Sequence, residues 1–172
     1  WNYDKPIYPV NPNYSDIAGL TSYARIGDVP DAVDLALVSV PSRMIPDILV
    51  QCEAKGVKAL NILTSGFEEI AGAEGVRRHR LLTDFVQRTG IRIVGPNCFG
   101  VLSVPNNYPG MAGSYPKMQS GKLSLAFQSG GLAMNMVQAC VDRRIGVAHV
   151  ISSGNETDLE FADCLDFLAD DD

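Results

Sequence analysis

The sequence predicts an α/β fold built on a parallel, doubly wound sheet, and three observations lead there. Apolar, β-rich runs alternate with segments of helical spacing along the chain. One run, VDLALVSV (33–40), is almost continuously apolar, as a strand covered on both faces should be. Three runs end in the same small-residue punctuation, LTSGFEE, FQSGGLA and SSGNETD. Open α/β sheets place their ligands at the carboxyl ends of strands, so these three turns are where a function is expected.

The elements follow in order. PIYPV (6–10) is expected to be a short strand broken by prolines. After the strand at 33–40, Ser42 is expected to cap a helix with Ile45, Ile48, Leu49 and Cys52 on one face and Pro46 in its first turn. VKALNILTS (57–65) is the next strand. The segment 77–90 reads as a helix with Leu82, Phe85 and Val86 inward and Gly90 as its stop. IRIVG (91–95) closes this series, and a Pro- and Gly-rich connection from Gly95 to about Gly121 is long enough to hold a domain boundary. KLSLAF is then a strand, 131–143 an apolar helix and VAHVIS a strand. A last helix opens at TDLE, where Thr157 and Glu160 match a capping box, and Phe161, Cys164, Leu165 and Leu168 recur at the spacing of one buried face.

Composition narrows the function classes. The 172 residues, 46% hydrophobic, can build a core for one domain or one and a half. No apolar run approaches the roughly 18 residues of a membrane span. The start, WNYDKPIYPV, lacks an initiator methionine and signal-peptide regions, and the end, DFLADDD, stops in charge, so the chain reads as a fragment of a longer polypeptide. A net charge of −6 argues against a nucleic-acid partner. The basic run RRHR (77–80) reads as a solvated helix face. Cys52, Cys98, Cys140 and Cys164 form no C-x-x-C pair, which leaves no zinc site or disulfide framework and suits free thiols in a reducing cytoplasm.

The turn at Ser129-Gly130-Gly131 ends a strand and opens a helix. Helix N-terminal amides suit an anion, although Ser129 could serve as a cap alone. A serine hydrolase is disfavoured, because G-x-S-x-G is absent around Ser129 and His149 lies within a strand. A dinucleotide dehydrogenase is disfavoured too. No G-x-G-x-x-G occurs, and the expected ribose-binding acid is replaced by Pro9-Val10-Asn11-Pro12.

In register, IYPVNPNY, VDLALVSVP, NILTSGFEE, VGPNCFGV, FQSGG and the final SSGNETD with DCLDFL resemble the NDP-forming acyl-CoA synthetases, the superfamily of the succinyl-CoA synthetase α-subunit. The resemblance runs from about Ile7 to the last residue, and GPNC followed by QSGG is its most specific pair. It implies a Rossmann-like CoA-binding domain at 1–118, without its N-terminal βα unit, and the start of a flavodoxin-like ligase domain at 119–172. It also implies the reversible formation of an acyl-CoA thioester from a carboxylic acid and CoA, through an acyl phosphate and a phosphohistidine.

Carried over position by position, the resemblance places CoA against Val10, Asn11 and Pro12, against Val40, Pro41 and Ser42, against Ser65, Gly66 and Phe67, and against Asn97 and Cys98. For Cys98 a buried small hydrophobe is an equal alternative. The phosphoryl group would rest on Ser129, Gly130 and Gly131, with Gly154 and Asn155 beside it; the plainer role of the last two is to start the final helix. The phosphorylated histidine is expected beyond residue 172, so neither His79 nor His149 is assigned to catalysis. ATP or GTP with Mg²⁺ would be held by an ATP-grasp-type domain or β-subunit outside this chain, in a cytoplasmic, oligomeric enzyme. Met111-Ala112-Gly113-Ser114 stands where the family pattern commonly carries a Thr-Phe pair, which leaves the acyl group open. A reading from another class is a CoA-binding regulatory or scaffold module, for example the ligase-like part of a fused protein acetyltransferase.

Overall fold

The computed structural model describes residues 2–171, with an N-terminal arm followed by two three-stranded sheets. The arm carries a small antiparallel hairpin of β1 (Asp16–Ile17) and β2 (Leu20–Thr21). The first sheet is wholly parallel, in the order β3 (Leu35–Val38), β4 (Ala59–Ile62) and β5 (Arg92–Val94). Helices α1 (Ile45–Lys55) and α2 (Ala73–Thr89) make its crossovers, as parallel pairing requires. In α1, Ile45, Leu49 and Cys52 recur at four and three and are buried with Leu60 and Ile62 of β4. Leu82 and Phe85 of α2 join the same core.

The second sheet has the order β6 (Gly100–Ser103), β8 (Val147–Ser152) and β7 (Ser120–Phe127), crossed by α3 (Gly130–Asp142) and followed by α4 (Phe161–Ala169). Strand β8 is buried along its whole length: β6 and β7 pair with its two edges, and α3 and Phe167 of α4 pack against it. Its core of Leu102, Val137, Val147 and Val150 is separate from that of the first sheet.

Several details differ from expectation. PIYPV forms no strand: only Val10 makes a bridge, to Tyr23, since Pro6 and Pro9 have no N–H to give a ladder. Ser42 does not cap α1. It lies in a 3-10 turn, Ser42–Met44, that leads into the helix, and Pro46 sits in the helix's first turn. Helix α2 starts at Ala73, four residues before the RRHR run. The connection 95–121 contains β6, which runs antiparallel to β8 and makes the second sheet mixed. The capping box of α4 is Glu160 with Asp163 rather than Thr157 with Glu160. Of the α4 stripe only Cys164 is buried, while Phe161 and Leu165 are exposed.

The two sheets are joined by the stretch after β8, which lies along the free edge of β5. The amide of Asn155 donates to the carbonyl of Pro96 (2.9 Å), that of Thr157 to Gly95 (3.1 Å) and that of Leu159 to Ile93 (3.2 Å). The Asp158 carboxylate accepts from the Ile93 amide (2.7 Å) and from Arg92 Nε (3.0 Å). These bonds satisfy edge groups that would otherwise lack protein partners. They also bring the strand-end loops of both sheets to one place.

Candidate functional site

The loops after β3 and β4 form one side of the site. The Val40 amide donates to Thr64 Oγ1 (3.2 Å), and that hydroxyl donates back to the Val40 carbonyl (2.7 Å). Between them lies a groove of about 380 Å³ lined by Ser39, Val40, Pro41, Ser42, Leu63, Thr64 and Ser65. Arg78 ties the two loops together. Its Nη1 donates to Ser42 Oγ (2.8 Å) and to the Gly66 carbonyl (2.7 Å), and its Nε donates to Glu74 (2.8 Å). Arg77 first, and then Arg78, pull the Glu74 carboxyl down to about 2.

The RRHR run is therefore not simply a solvated face. Arg77 is exposed, but Arg78 is three-quarters covered. Its signal in the sequence was too weak to read, since four basic residues in a row look alike until the helix phase is known. Gly66 sits under this clamp with φ +99, where a Cβ would lie 3.0 Å from Ser42 Oγ and 3.1 Å from Arg78 Nη1. Arg78→Met should lower stability by about 1–3 kcal/mol through loss of charge-assisted hydrogen bonds. Arg78→Lys should not restore it, because one ammonium cannot reproduce the guanidinium fork. Urea denaturation of the two variants checks this.

The GPNC loop stands in the centre. Its Gly95–Pro96 peptide is cis, and Asn97 has φ +55. The Asn97 amide donates to the Thr64 carbonyl (2.9 Å), and its Nδ2 donates to Asn155 Oδ1 (3.2 Å). Cys98 is buried, with its thiol donating to Asn61 Oδ1 (3.2 Å). Burial pushes the thiol up to about 12, so it is not a nucleophile at neutral pH. Asn61 is itself buried in β4, and its Nδ2 donates to the Gly110 carbonyl (3.3 Å). A lone Asn inside the apolar run VKALNILTS was the available signal for this network, because a buried amide needs partners.

The other side comes from the second sheet. Ser129 caps α3: its Oγ accepts from the Leu132 amide (3.3 Å). The first turn supplies further orphan donors and the positive end of the helix dipole. Gly130 lies against the Phe99 ring, whereas Gly131 faces open space, with only Ser129 Oγ within 4 Å of a Cβ placed there. The Gly154 amide donates to the Gln128 carbonyl (3.2 Å). Gly154 does not start the final helix, which begins at Phe161. It packs against Pro96, Asn97 and Cys98 instead.

The structure thus gathers Val40–Ser42, Ser65–Gly66, Asn97 and Gly154–Asn155 on one rim, with Ser129–Gly131 next to it. The Phe67 ring is fully buried, so only its backbone can face a ligand. Val10, Asn11 and Pro12 are placed differently: the Asn11 amide donates to the Tyr23 carbonyl (2.8 Å), within the N-terminal arm. His79 lies on α2 between Glu68 (3.1 Å) and Thr157 (3.4 Å). His149 is buried in β8 beside Asp171 (2.6 Å) and Phe167.

Comparison with known proteins identifies the family. Residues 2–103 match the family model of the CoA binding domain, and residues 120–172 that of the succinyl-CoA ligase like flavodoxin domain. The α subunit of the ADP-forming acetate–CoA ligase II of Pyrococcus furiosus is 36% identical over 95% of this chain, which spans 35% of that relative. The ADP-forming acetate–CoA ligase II of Archaeoglobus fulgidus is 36% identical over 96% of the chain, here 25% of the relative. Among solved structures, the dinucleotide forming acetyl-coenzyme A synthetase 1 of Ca. Korarchaeum cryptofilum, in complex with phosphate and ADP, superposes with a TM-score of 0.91. It is 33% identical over 99% of this chain and 36% of its own.

Proposed function

Since the chain belongs to the CoA-binding domain family through residues 2–103, and continues into the succinyl-CoA ligase like flavodoxin domain, we propose that it is the central part of an NDP-forming acyl-CoA synthetase. The observation that carries this reading is the meeting of strand-end loops from both sheets on one rim, tied by Asn97 and Asn155. A CoA-binding module alone would not need the capped helix start at Ser129–Gly131, open at Gly131, next to it.

In this reading, residues 1–118 form the CoA-binding domain and 119–172 begin the ligase domain, with β6 crossing from one to the other. The groove between Val40–Ser42 and Ser65–Gly66 receives CoA. Small side chains at strand ends suit a nucleotide moiety, because they let it approach closely. Asn97, Cys98 and the backbone of Phe67 meet CoA beside the groove, and Val10–Pro12 meet it from the arm, apart from this rim. The amides opening α3 hold a phosphoryl group by fixed dipoles aimed at its oxygens, and Gly154 and Asn155, whose own amides are taken by Gln128 and Pro96, stand beside it. The substrates are a carboxylic acid and CoA. ATP or GTP with Mg²⁺ is bound by another domain or subunit of an oligomeric, cytoplasmic enzyme.

The γ-phosphoryl group of ATP or GTP passes to a histidine outside this chain as the P–O bond to the nucleoside diphosphate breaks. It then passes to the carboxylate as the P–N bond breaks, forming an acyl phosphate and freeing the histidine. The CoA sulfur then attacks the acyl carbon, the C–S bond forms, and the C–O bond to phosphate breaks as inorganic phosphate leaves, the thiol proton passing to the phosphate or to solvent. Supplying the full-length protein with acetate, CoA, Mg²⁺ and ATP or GTP tests the proposal. One nucleoside diphosphate and one phosphate are expected per thioester formed. Nucleoside monophosphate and pyrophosphate, or no thioester across a panel of carboxylic acids, would overturn it.

A further inference from the structure

Glu69, in the loop after β4, takes part in none of the roles above, yet it is the joint between two of the loops that carry them. Its carboxylate accepts from the amides of Gly66 and Phe67 (3.0 Å for Phe67) in its own loop. It also accepts from Nδ2 of Asn155, 86 residues away in the loop after β8. The other end of the Asn155 amide accepts from Asn97 Nδ2, and the Asn155 backbone is held by the Pro96 carbonyl. A continuous line of hydrogen bonds thus runs from Gly66 and Phe67 through Glu69 and Asn155 to Asn97.

We propose that Glu69 is a positioning residue that locks the loop on the CoA side to the loop on the phosphoryl side, so that the incoming sulfur reaches the acyl carbon of the acyl phosphate. This rests on the acyl-CoA synthetase reading above. A local turn would be served by the two bonds to Gly66 and Phe67 alone. The bond to Asn155 adds nothing to that turn and only fixes the distance between loops. An anion is the right joint, since both carboxylate oxygens accept and three N–H donors converge on them. Although burial works against the charge, the bonds from Gly66, Asn155 and Phe67 hold the carboxyl below its usual range. The joint is therefore intact at neutral pH and opens only as pH falls through that lowered value.

The test separates the two halves of the reaction in the full-length protein. One assay follows transfer of labelled phosphate from ATP to the protein without CoA. The other follows thioester formation in a single turnover at saturating CoA. With Glu69→Gln, phosphorylation should stay within about twofold while thioester formation falls about tenfold or more, the penalty of a misplaced reactant. Glu69→Asp, which keeps the charge but is one carbon too short to span both loops, should fall between. On an Asn155→Ala background, Glu69→Gln should add nothing further, because the bond is already gone.

Equal loss in both assays, no loss in either, or an undiminished Glu69→Gln effect on the Asn155→Ala background overturns the joint while leaving the synthetase reading standing. A wild-type protein that makes no thioester overturns that reading, and the joint with it. Matching melting temperatures of wild type and Glu69→Asp keep the comparison free of unfolding.

Discussion

Gly154→Ala is expected to destabilise the protein by about 2–4 kcal/mol, the sum of overpacking and a left-handed backbone forced on an L-residue. Gly154 has φ +67, and a Cβ there would stand 2.3 Å from the Pro96 carbonyl oxygen, 2.7 Å from Cys98 Cβ and 2.9 Å from the Asn97 carbonyl carbon. Two of these three neighbours are backbone, in a loop pinned by the Asn97 amide to Thr64 and by Cys98 to Asn61. They cannot turn aside as a side-chain tip could. The strain therefore falls on the junction between the sheets, where the amides of Asn155, Thr157 and Leu159 run along β5. Gly131→Ala is the control, because its Cβ meets only Ser129 Oγ at 3.8 Å and alanine favours the helix by about 0.5–1 kcal/mol. Guanidinium denaturation of both variants decides the matter. A Gly154→Ala midpoint equal to wild type would mean the two loops separate without cost, and the junction described here would not hold the sheets together.

That junction marks the limit of what could be read from residues alone. Elements with a strong period were legible: α1 from Ile45, Leu49 and Cys52, and β8 from the unbroken VAHVIS. Loops that carry Ser-Gly after a strand were legible as a rim, because small residues at strand ends mean the same thing in any parallel sheet. Contacts made across the two sheets were not. The Asn155 bond to Glu69 and the Asp158 bonds to Arg92 and Ile93 link residues more than sixty positions apart. Such pairs leave no periodic trace in one sequence. Arg78 was hidden for a different reason: its neighbour Arg77 has the same charge and pairs with the same Glu74, but helix phase turns one to solvent and the other to Ser42. The spacing of the α4 stripe promised a buried face, and among the described residues Cys164 of that stripe is buried while Phe161 and Leu165 are exposed. Periodicity reports which side of a helix is apolar, not whether anything covers it.

The Ser129→Asp variant should lose at least about a hundredfold in phosphoryl transfer to the protein, while folding as well as wild type. Aspartate is as good an N-cap as serine, so the bond from the Leu132 amide survives. Its charge at the start of α3 even interacts favourably with the helix dipole. Structure alone therefore predicts a neutral or slightly stabilising change. The proposed function predicts the reverse for activity. A carboxylate at the cap would stand where the phosphoryl oxygens are to be received. Two unit charges about 4 Å apart near a protein surface repel by about 4 kcal/mol, roughly a thousandfold. Ser129→Asn supplies a neutral cap of similar size and should keep most of the activity. The measurement uses full-length protein with γ-labelled ATP and Mg²⁺, scoring phosphate on the protein that is labile to acid and stable to base. If Ser129→Asp takes up label like wild type, the phosphoryl group does not rest at the start of α3, and the QSGG turn is a helix cap and nothing more. If label is lost in Ser129→Asp and retained in Ser129→Asn at equal thermal stability, repulsion is the remaining cause. The small residues after β7 then serve the anion as well as the helix.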